Sequence, residues 1–226
     1  MPHVQTSKFR ISERAGNWYI SFAFEQTVEQ PADKISVVGV DLGVKELATL
    51  STGVVFNNPR ATKKMKKKLA NKQRQLARKV KGSNQYLKQK LRVTKTHKRT
   101  SDIRLDATHK ATTIISKNHA KIVVENLNVS GMMANHKLAG AVSDTNFYEF
   151  RRQLEYKAKK FGSVVILADR FYPSSKTCSS CGVMQNMPLK VRTFDCENCG
   201  IIIDRDLNAS INLSKLGCAV ILNADG

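Results

Sequence analysis

The segment Ile-Ser-Val-Val-Gly-Val-Asp (residues 35–41) is the clearest indication of the fold of this chain. Its β-branched residues predict a buried strand, and that strand ends on an acid, Asp41. Two further runs, 46–51 and 54–57, flank the turn Ser51-Thr52-Gly53 and predict short strands that follow the first. Together these runs predict a three-stranded meander.

The chain then alternates between predicted helices and strands. We predict a strand at 121–125 ending on Glu125, a helix at 147–161, a strand at 163–168 and a helix at 204–216 capped by Asp204. The segment 128–146 contains Gly, Ser and Asn and is expected to be flexible. The order βββ–α–β–α–β–α, with an insert before the last helix, matches an RNase H-like α/β fold with a mixed sheet.

Positive charge is concentrated in one quarter of the chain. The whole chain carries a net charge of +20, and residues 60–110 hold 19 Lys and Arg against two acids, a net of +17. Such an excess favours a polyanion partner, most often nucleic acid, although a ribosomal-type or membrane-surface protein would be comparably basic. The sequence contains no run of about 18 apolar residues, which is the length that would predict a membrane span. With no signal peptide in the sequence, we expect a cytoplasmic, nucleoid-associated protein.

The basic stretch has the apolar spacing of packed helices. Five apolar residues recur at intervals of 7, 4, 7 and 4 and predict a helical seam: Leu69, Leu76, Val80, Leu87 and Leu91. Gly82-Ser83-Asn84 is expected to break the stretch into a helical hairpin, and a further helix is expected at 102–117. A solvated pair of charged helices is the alternative to phosphate contact.

Four cysteines follow the pattern Cys-x-x-Cys, fourteen residues, Cys-x-x-Cys: Cys178, Cys181, Cys196 and Cys199. A glycine follows each pair, as in the knuckle turns that direct two thiolates at one ion. This spacing predicts a closed, structural zinc site, with two disulfides or an iron–sulfur cluster as alternatives. The fifth cysteine, Cys218, is expected to fill a small apolar space on the last helix.

Three acids stand out because acids are scarce in this basic chain. Asp41 and Glu125 each end a predicted strand, and Asp206 lies in the first turn of the last helix. Carboxylates that converge in this way are unfavourable without cations, and hard oxygen ligands suit Mg²⁺ or Mn²⁺. Taken singly, each acid could instead be a turn residue, a strand-end charge or a partner of the helix dipole.

Four motifs, in this order, resemble the TnpB (OrfB) insertion-sequence proteins. They are Val-Gly-Val-Asp-Leu-Gly-Val-Lys (38–45), Ile-Val-Val-Glu-Asn-Leu-Asn-Val (122–129), Tyr-Pro-Ser-Ser-Lys-Thr-Cys-Ser-Ser-Cys-Gly (172–182) and Asp-Arg-Asp-Leu-Asn-Ala-Ser-Ile-Asn (204–212). That family is related to the type V CRISPR effectors and has a RuvC-like nuclease domain with an inserted zinc ribbon. Its members are RNA-guided DNA endonucleases.

The resemblance implies a role for each acid and a division of the chain. Asp41, Glu125 and Asp206 would be the catalytic, Mg²⁺-binding acids, with Asp206 favoured over Asp204 by its spacing from the following Asn. Residues 1–30 would be a β-hairpin remnant of a wedge-type domain, and 31–226 a RuvC-like nuclease domain. That domain would carry a basic helical insert at 60–117 and a zinc ribbon at 173–203.

The N-terminal part is shorter than in full-length relatives, where it grips guide RNA. Only a hairpin, predicted at 8–25 around Gly16-Asn17, precedes the nuclease motifs. We therefore expect a fragment, a decayed copy or an unusually small variant. The leading prediction is a metal-dependent DNA endonuclease with DNA and guide RNA as partners. The alternatives are a truncated, inert nucleic-acid-binding protein and a zinc-ribbon transcription or ribosomal factor.

Overall fold

The fold was described from a computed structural model, which covers residues 9–23, 35–188 and 190–222. The strands are β1 (Phe9–Arg14), β2 (Asn17–Phe22), β3 (Ile35–Asp41), β4 (Glu46–Leu50), β5 (Val55–Asn57), β6 (His119–Glu125), β7 (Val164–Ala168), β8 (Thr193–Asp195) and β9 (Ile202–Asp204). The helices are α1 (Ala61–Ala77), α2 (Asn84–Asn118), α3 (Val129–Ala134), α4 (His136–Thr145), α5 (Phe147–Phe161) and α6 (Arg205–Leu222). None of these helices is both long and apolar enough to cross a lipid bilayer.

The chain divides into two compact units. The smaller unit comprises residues 1–29 and 60–105, and the larger unit comprises residues 30–59 and 106–226. The hairpin β1–β2, helix α1 and the first part of α2 belong to the smaller unit. The predicted β-hairpin and the predicted basic helices therefore lie in the same unit.

A five-stranded mixed sheet forms the centre of the larger unit, in the order β5-β4-β3-β6-β7. Strands β3, β6 and β7 run parallel to one another, and β4 and β5 continue the sheet as antiparallel strands beside β3. The β-branched runs that predicted these strands occupy them, so the α/β class and the mixed sheet are confirmed. Parallel strands are covered on both faces, which explains their continuous apolar sequences.

The two faces of the sheet are covered by different helices. On one face, Val40 and Val124 pack in a core with α2 and α5, which contribute Ile115, Phe150 and Leu154. On the other face, a smaller apolar cluster joins the sheet to α6 and includes Val37, Val123 and Leu213. Because side chains alternate between faces along a strand, residues 37, 39 and 41 of β3 point toward α6.

Helix α6 lies unusually close to β3 at Gly39. A Cβ atom added there would lie 1.9 Å from the carbonyl oxygen of Ser210, so no other residue fits without moving the helix. The sequence Val-Val-Gly-Val-Asp therefore combines a strand with a contact point for the helix that carries Asp206. This close approach determines how near the end of α6 comes to the end of β3.

The expectation of a flexible segment at 128–146 was wrong, because two short helices, α3 and α4, occupy it. The side chain of Asn128 caps α3 by accepting a hydrogen bond from the Gly131 N–H at 3.1 Å. Val142 on α4 is buried in the main core. A polar residue therefore encodes a helix cap here.

In the smaller unit, β1 and β2 form an antiparallel hairpin with Arg14 opposite Asn17. The predicted turn at Gly16-Asn17 is displaced by one residue, since the loop is Ala15-Gly16 and both residues have positive φ. Residues 8, 24 and 25 of the predicted hairpin lie outside the described residues. One face of the hairpin is apolar and exposed: Phe9, Ile11, Trp18, Ile20 and Phe22.

The two helices of the smaller unit are separated near Gly82, as predicted. The prediction of an apolar seam between them was wrong. Leu87 and Leu91 are exposed, and Val80 lies outside both helices. The buried residues of this part of α2 are Gln89, Val93, Thr96 and Thr100. Helix α2 also runs unbroken through the separate helix expected at 102–117, because no Gly or Pro interrupts residues 84–118.

Candidate acidic site and cysteine cluster

Asp41 and Glu125 end two neighbouring parallel strands at the same level. Val40 of β3 pairs with Val124 of β6, so the two acids that follow this pair lie side by side. Both lie on the face of the sheet that α6 covers, because Gly39 and Val123 contact α6 from that face. Asp206 lies in the first turn of α6. The structure therefore brings the three sequence-predicted acids together.

The electrostatics of the site are dominated by burial and by repulsion between these acids. The pKa of Asp41 is well above its usual range because burial disfavours the carboxylate and because Glu125 and Asp206 are close. Burial also raises the pKa of Glu125, a hydrogen bond from Ser174 opposes the rise, and Asp206 adds to it. Such a site favours a bound cation, which would offset the repulsion.

The end of α6 is arranged around two aspartates with different contacts. Asp204 is the N-cap, as predicted: its Oδ1 accepts from the N–H of Asp206 at 2.9 Å and of Leu207 at 3.1 Å. The Oδ1 of Asp206 lies 3.6 Å from Arg205 Nε and 3.8 Å from Arg192 Nη1. The capping role of Asp204 leaves Asp206 as the acid that faces the other two.

A buried serine that the sequence interpretation missed holds Glu125. The hydroxyl of Ser174 is buried and donates to Glu125 Oε1 at 2.5 Å. The carbonyl of Ser174 in turn accepts from the side-chain amide of Asn212 on α6 at 2.8 Å. This chain of contacts fixes the orientation of the Glu125 carboxylate relative to the helix that carries Asp206.

Asn208 makes a second connection between α6 and the segment leading into the cysteines. Its side chain donates to the Thr177 carbonyl at 2.7 Å and accepts from the Ser179 N–H at 2.8 Å. Asn208 and Asn212 are both buried and four residues apart, so they lie on one face of α6. Two amides four residues apart on the last helix were the sequence signal for this clamp.

The four predicted cysteines form one cluster. The sulphur atoms of Cys178, Cys181, Cys196 and Cys199 all lie within 4.8 Å of one another. The two pairs have matching backbone turns: the Gly182 N–H donates to the Cys178 carbonyl at 3.0 Å, and the Gly200 N–H donates to the Cys196 carbonyl at 2.9 Å. Both glycines have positive φ, as a knuckle turn requires.

A small apolar core of its own supports the cysteine cluster. Cys178 and Cys196 are buried with Met187 and Phe194, and Phe194 lies on β8 opposite Ile203 of β9. The fifth cysteine differs, because Cys218 is exposed. The prediction that Cys218 fills an apolar space was therefore wrong, and Gly217 occupies the tight position on α6 instead, where an added Cβ would lie 2.4 Å from Val123.

The two candidate metal sites differ in geometry. Across residues 9–23, 35–188 and 190–222, the cysteine cluster is the one group of three or more ligating side chains whose donor atoms all lie within 4.8 Å of one another. The three carboxylates are spaced more widely, as mutually repelling charges are. Four converging thiols suit one soft or borderline metal ion, and separated carboxylates suit harder cations.

The sequence matches two family profiles. Residues 20–136 match the family OrfB_IS605, described as "Probable transposase", and residues 147–213 match the family described as "Cas12f1-like, TNB domain". The first match includes Asp41 and Glu125, and the second includes the four cysteines and Asp206. They agree with the resemblance drawn from the four motifs.

Individual relatives point the same way. The chain is 38% identical over 215 residues to a "Putative RNA-guided DNA endonuclease" of Streptomyces pristinaespiralis, covering 95% of this chain and 53% of that protein. It is 40% identical over 230 residues to the "Putative RNA-guided DNA endonuclease InsQ" of Escherichia coli K12, covering 93% and 56%. The chain thus spans about half the length of these relatives.

A solved structure shares the fold. The chain in a structure titled "Cryo-EM structure of CRISPR-Cas12f Ternary Complex" superposes with a TM-score of 0.57 at 18% identity, covering 93% of this chain and 46% of that one. The sequence match to OrfB_IS605 extends over more than half of the residues. On this basis, the chain belongs to the OrfB family of insertion-sequence proteins, whose members include the TnpB-like proteins.

Proposed function

We propose that this chain is the catalytic portion of a transposon-encoded, metal-dependent DNA endonuclease of the TnpB type, guided by RNA. The convergence of Asp41, Glu125 and Asp206 on one face of the sheet is the observation that carries the proposal. The names of its relatives support DNA as the substrate and RNA as the guide. A cytoplasmic, nucleoid-associated location would follow from DNA as the substrate.

The strand order supports an RNase H-like, RuvC-type nuclease fold. Three parallel strands continue into an antiparallel pair, and the acids lie at the carboxyl ends of the first two parallel strands. We assign residues 31–226 to this nuclease domain and residues 1–30, which include the β1–β2 hairpin, to a wedge-type domain. Residues 60–117 would be its basic helical insert and 173–203 its zinc ribbon.

The donor atoms of the acidic site fit divalent cations. Asp41, Glu125 and Asp206 would hold Mg²⁺ or Mn²⁺, because these hard cations prefer carboxylate oxygens. When bound, a pair of such ions activates a water and stabilises the leaving oxygen of a phosphodiester. The chain itself positions the carboxylates: Ser174 orients Glu125, and the Gly39 contact sets α6 against β3.

Positive side chains beside the acids would attract the DNA backbone. Arg192 and Arg205 lie within 4 Å of the Asp206 carboxylate, and Arg192 is exposed at the edge of the site. The basic helices of the smaller unit would hold nucleic acid mainly through phosphates, so binding should weaken steeply with salt. For the cysteine cluster we propose Zn²⁺, because four thiolates form the closed site of a structural zinc.

Cleavage of single-stranded DNA by the full chain with Mg²⁺ or Mn²⁺ tests the nuclease proposal. Asp41→Ala and Glu125→Ala should each reduce the rate by at least about a hundredfold, because each removes a ligand of the proposed ions. Asp106→Ala removes an exposed acid of the same unit outside both sites, so it is the matched control and should cleave normally. Activity that survives both alanine substitutions would refute the site, and binding without cleavage would favour an inert binding protein.

Metal analysis of the purified chain tests the zinc proposal. We expect one zinc per chain, and Cys196→Ser should lose it together with the fixed structure of the small core around Phe194. Cys218→Ser removes an exposed cysteine outside the cluster and should keep the full zinc content. Iron and sulphide in place of zinc would overturn the assignment.

A further inference from the structure

A cavity of about 330 Å³ lies beside Glu125 in the larger unit. Its walls come from the residue after β3, the segment after β6, the first turns of α5 and the segment after β7. In open sheets, ligands bind at the carboxyl ends of parallel strands, which is where this cavity opens. None of the roles assigned above uses it, apart from the single wall that Glu125 provides.

Two arginines give the cavity a positive wall. Arg151 on α5 donates from Nη1 to Asn126 Oδ1 at 3.1 Å and from Nε to Glu155 Oε1 at 2.8 Å. A guanidinium has five N–H donors, so Arg151 keeps donors beyond these two contacts, and Asn126 fixes its direction. Arg170 is exposed and lies in the wall after β7. Two guanidinium groups beside one cavity suit a phosphate.

An exposed tyrosine forms another part of the wall. Tyr148 is 71% exposed although its neighbour Phe147 is 3% exposed, so α5 buries one ring in the core and leaves the next in solvent. Leu42 and Leu127 add apolar surface to the same cavity. An exposed ring next to a cationic wall is the arrangement on which single-stranded nucleic acids stack their bases.

We propose that this cavity holds one nucleotide of the DNA strand next to the bond that is cut, with its base on Tyr148 and its phosphate on Arg151 and Arg170. The volume is at the lower end of the range of about 300–1,000 Å³ for ligand pockets, so it fits one nucleotide and not a longer segment. The proposal rests on the proposed function for the identity of the strand. It adds a subsite that positions DNA beside the acids.

A fluorescent base tests the stacking contact independently of cleavage. The full chain carrying Asp41→Ala is titrated with deoxythymidine oligonucleotides in which a single 2-aminopurine is moved one position at a time. We expect quenching that is strongest at one position, is kept by Tyr148→Phe and is lost in Tyr148→Ala, with binding weakened about tenfold. Quenching that is the same in Tyr148→Ala would overturn the proposal.

Salt titrations of the same complexes test the phosphate contact. Replacing Arg151 and Arg170 by alanine should lower the slope of log K against log salt by about 0.7, the contribution of one lost phosphate contact to single-stranded nucleic acid. Lys159→Ala, on the same helix but outside the cavity, should keep the slope of the parent chain. Equal slopes for the two variants would contradict the phosphate contact.

The outcomes separate this subsite from the nuclease proposal. If the native chain does not cleave DNA but the Tyr148-dependent quenching is present, the subsite stands and the nuclease proposal fails. If the chain cleaves DNA at the same rate with Tyr148→Ala and shows no such quenching, the reverse holds. Stronger Tyr148-dependent quenching with a uridine oligonucleotide than with DNA would identify RNA as the occupant and refute the proposal.

Discussion

The two units of the chain have interiors of opposite character. All three apolar clusters found among the described residues lie in the larger unit. In the smaller unit, the buried positions of α2 include Gln89, Thr96 and Thr100, and hydrogen bonds of Lys72 and Gln89 connect α1 to α2. Lys72 on α1, for example, donates to Thr96 Oγ1 at 2.8 Å.

This difference places most of the stabilising apolar burial in the larger unit and most of the excess positive charge in the smaller unit. Apolar burial contributes about 25 cal/mol per Å², whereas a typical hydrogen bond contributes only about 0.5–1.5 kcal/mol net. The smaller unit also carries most of the excess positive charge, and self-repulsion opposes a compact state. We infer that the larger unit holds the acids on a stable frame, and that the smaller unit gains much of its order from a polyanion.

Truncating the core of the larger unit should have the largest effect. Phe150 is fully buried between the sheet and the helices, so Phe150→Ala should lower the free energy of unfolding by about 3–5 kcal/mol. Leu87→Ala in the smaller unit removes an exposed side chain and should cost less than about 0.5 kcal/mol. Urea unfolding measures both, and equal losses would contradict the contrast between the units.

Binding of a polyanion should stabilise the smaller unit next most strongly. At a DNA concentration of about 100 times Kd, linkage predicts about 2.7 kcal/mol of added stability, visible as slower hydrogen exchange in α1. Replacing Lys66, Lys67 and Lys68 by Gln should reduce this protection, and raising the salt concentration should remove it. Protection of α1 that is independent of salt would break the interpretation.

The hydrogen-bonded contact between α1 and α2, here called the polar seam, should depend on the side-chain amide of Gln89. Gln89 donates to the Lys72 carbonyl at 3.0 Å and to Gln75 Oε1 at 3.1 Å. Gln89→Ala should therefore destabilise the α1–α2 pair by about 1–2 kcal/mol, because it removes two hydrogen bonds that join α2 to α1. Hydrogen exchange of α1 measures the change, with Gln85→Ala, an exposed neighbour, as the control. An equal effect of the two substitutions would argue against a polar seam.

A buried lysine in the larger unit should make the stability of the chain depend on pH. Burial lowers the pKa of Lys157 to about 8, and four neutral oxygen atoms on α2 and α5 surround the three N–H donors of its ammonium. Between pH 8 and the ordinary pKa of a lysine, Lys157 keeps its proton in the unfolded chain but has released it in the folded chain. Stability relative to Lys157→Met should therefore rise over this range. A difference that stays constant with pH would contradict the burial of the charge.

Sequence patterns predicted the larger unit well. The strands ending on Asp41 and Glu125, the helix at 147–161 and the Asp204 cap are confirmed. The cluster of four cysteines is confirmed as well. These features are local, since β-branched runs, capping side chains and paired cysteines each encode their structure within a few residues. The catalytic role of the acids stays a prediction.

Features that depend on tertiary contacts were not predictable in the same way. The 7-4 spacing of leucines predicted a seam, but Gln89 and Thr96 occupy the buried face of α2, because heptad spacing alone does not identify the partner surface. Ser174 and Asn212 are distant in sequence from Glu125, so their contacts follow only from the packing of α6. The cavity beside Tyr148 likewise joins four separate segments.

The contact between Gly39 and Ser210 sets the position of Asp41 along β3 relative to that of Asp206 along α6. From Gly39 to Asp41 is two strand residues, about 6.6 Å, and from Ser210 to Asp206 is four helix residues, about 6 Å. The two intervals are nearly equal, so fixing one crossing point brings both carboxylates to the same level. An insertion or deletion of one residue within either interval would therefore misalign the acids while leaving every side chain of the site in place in the sequence.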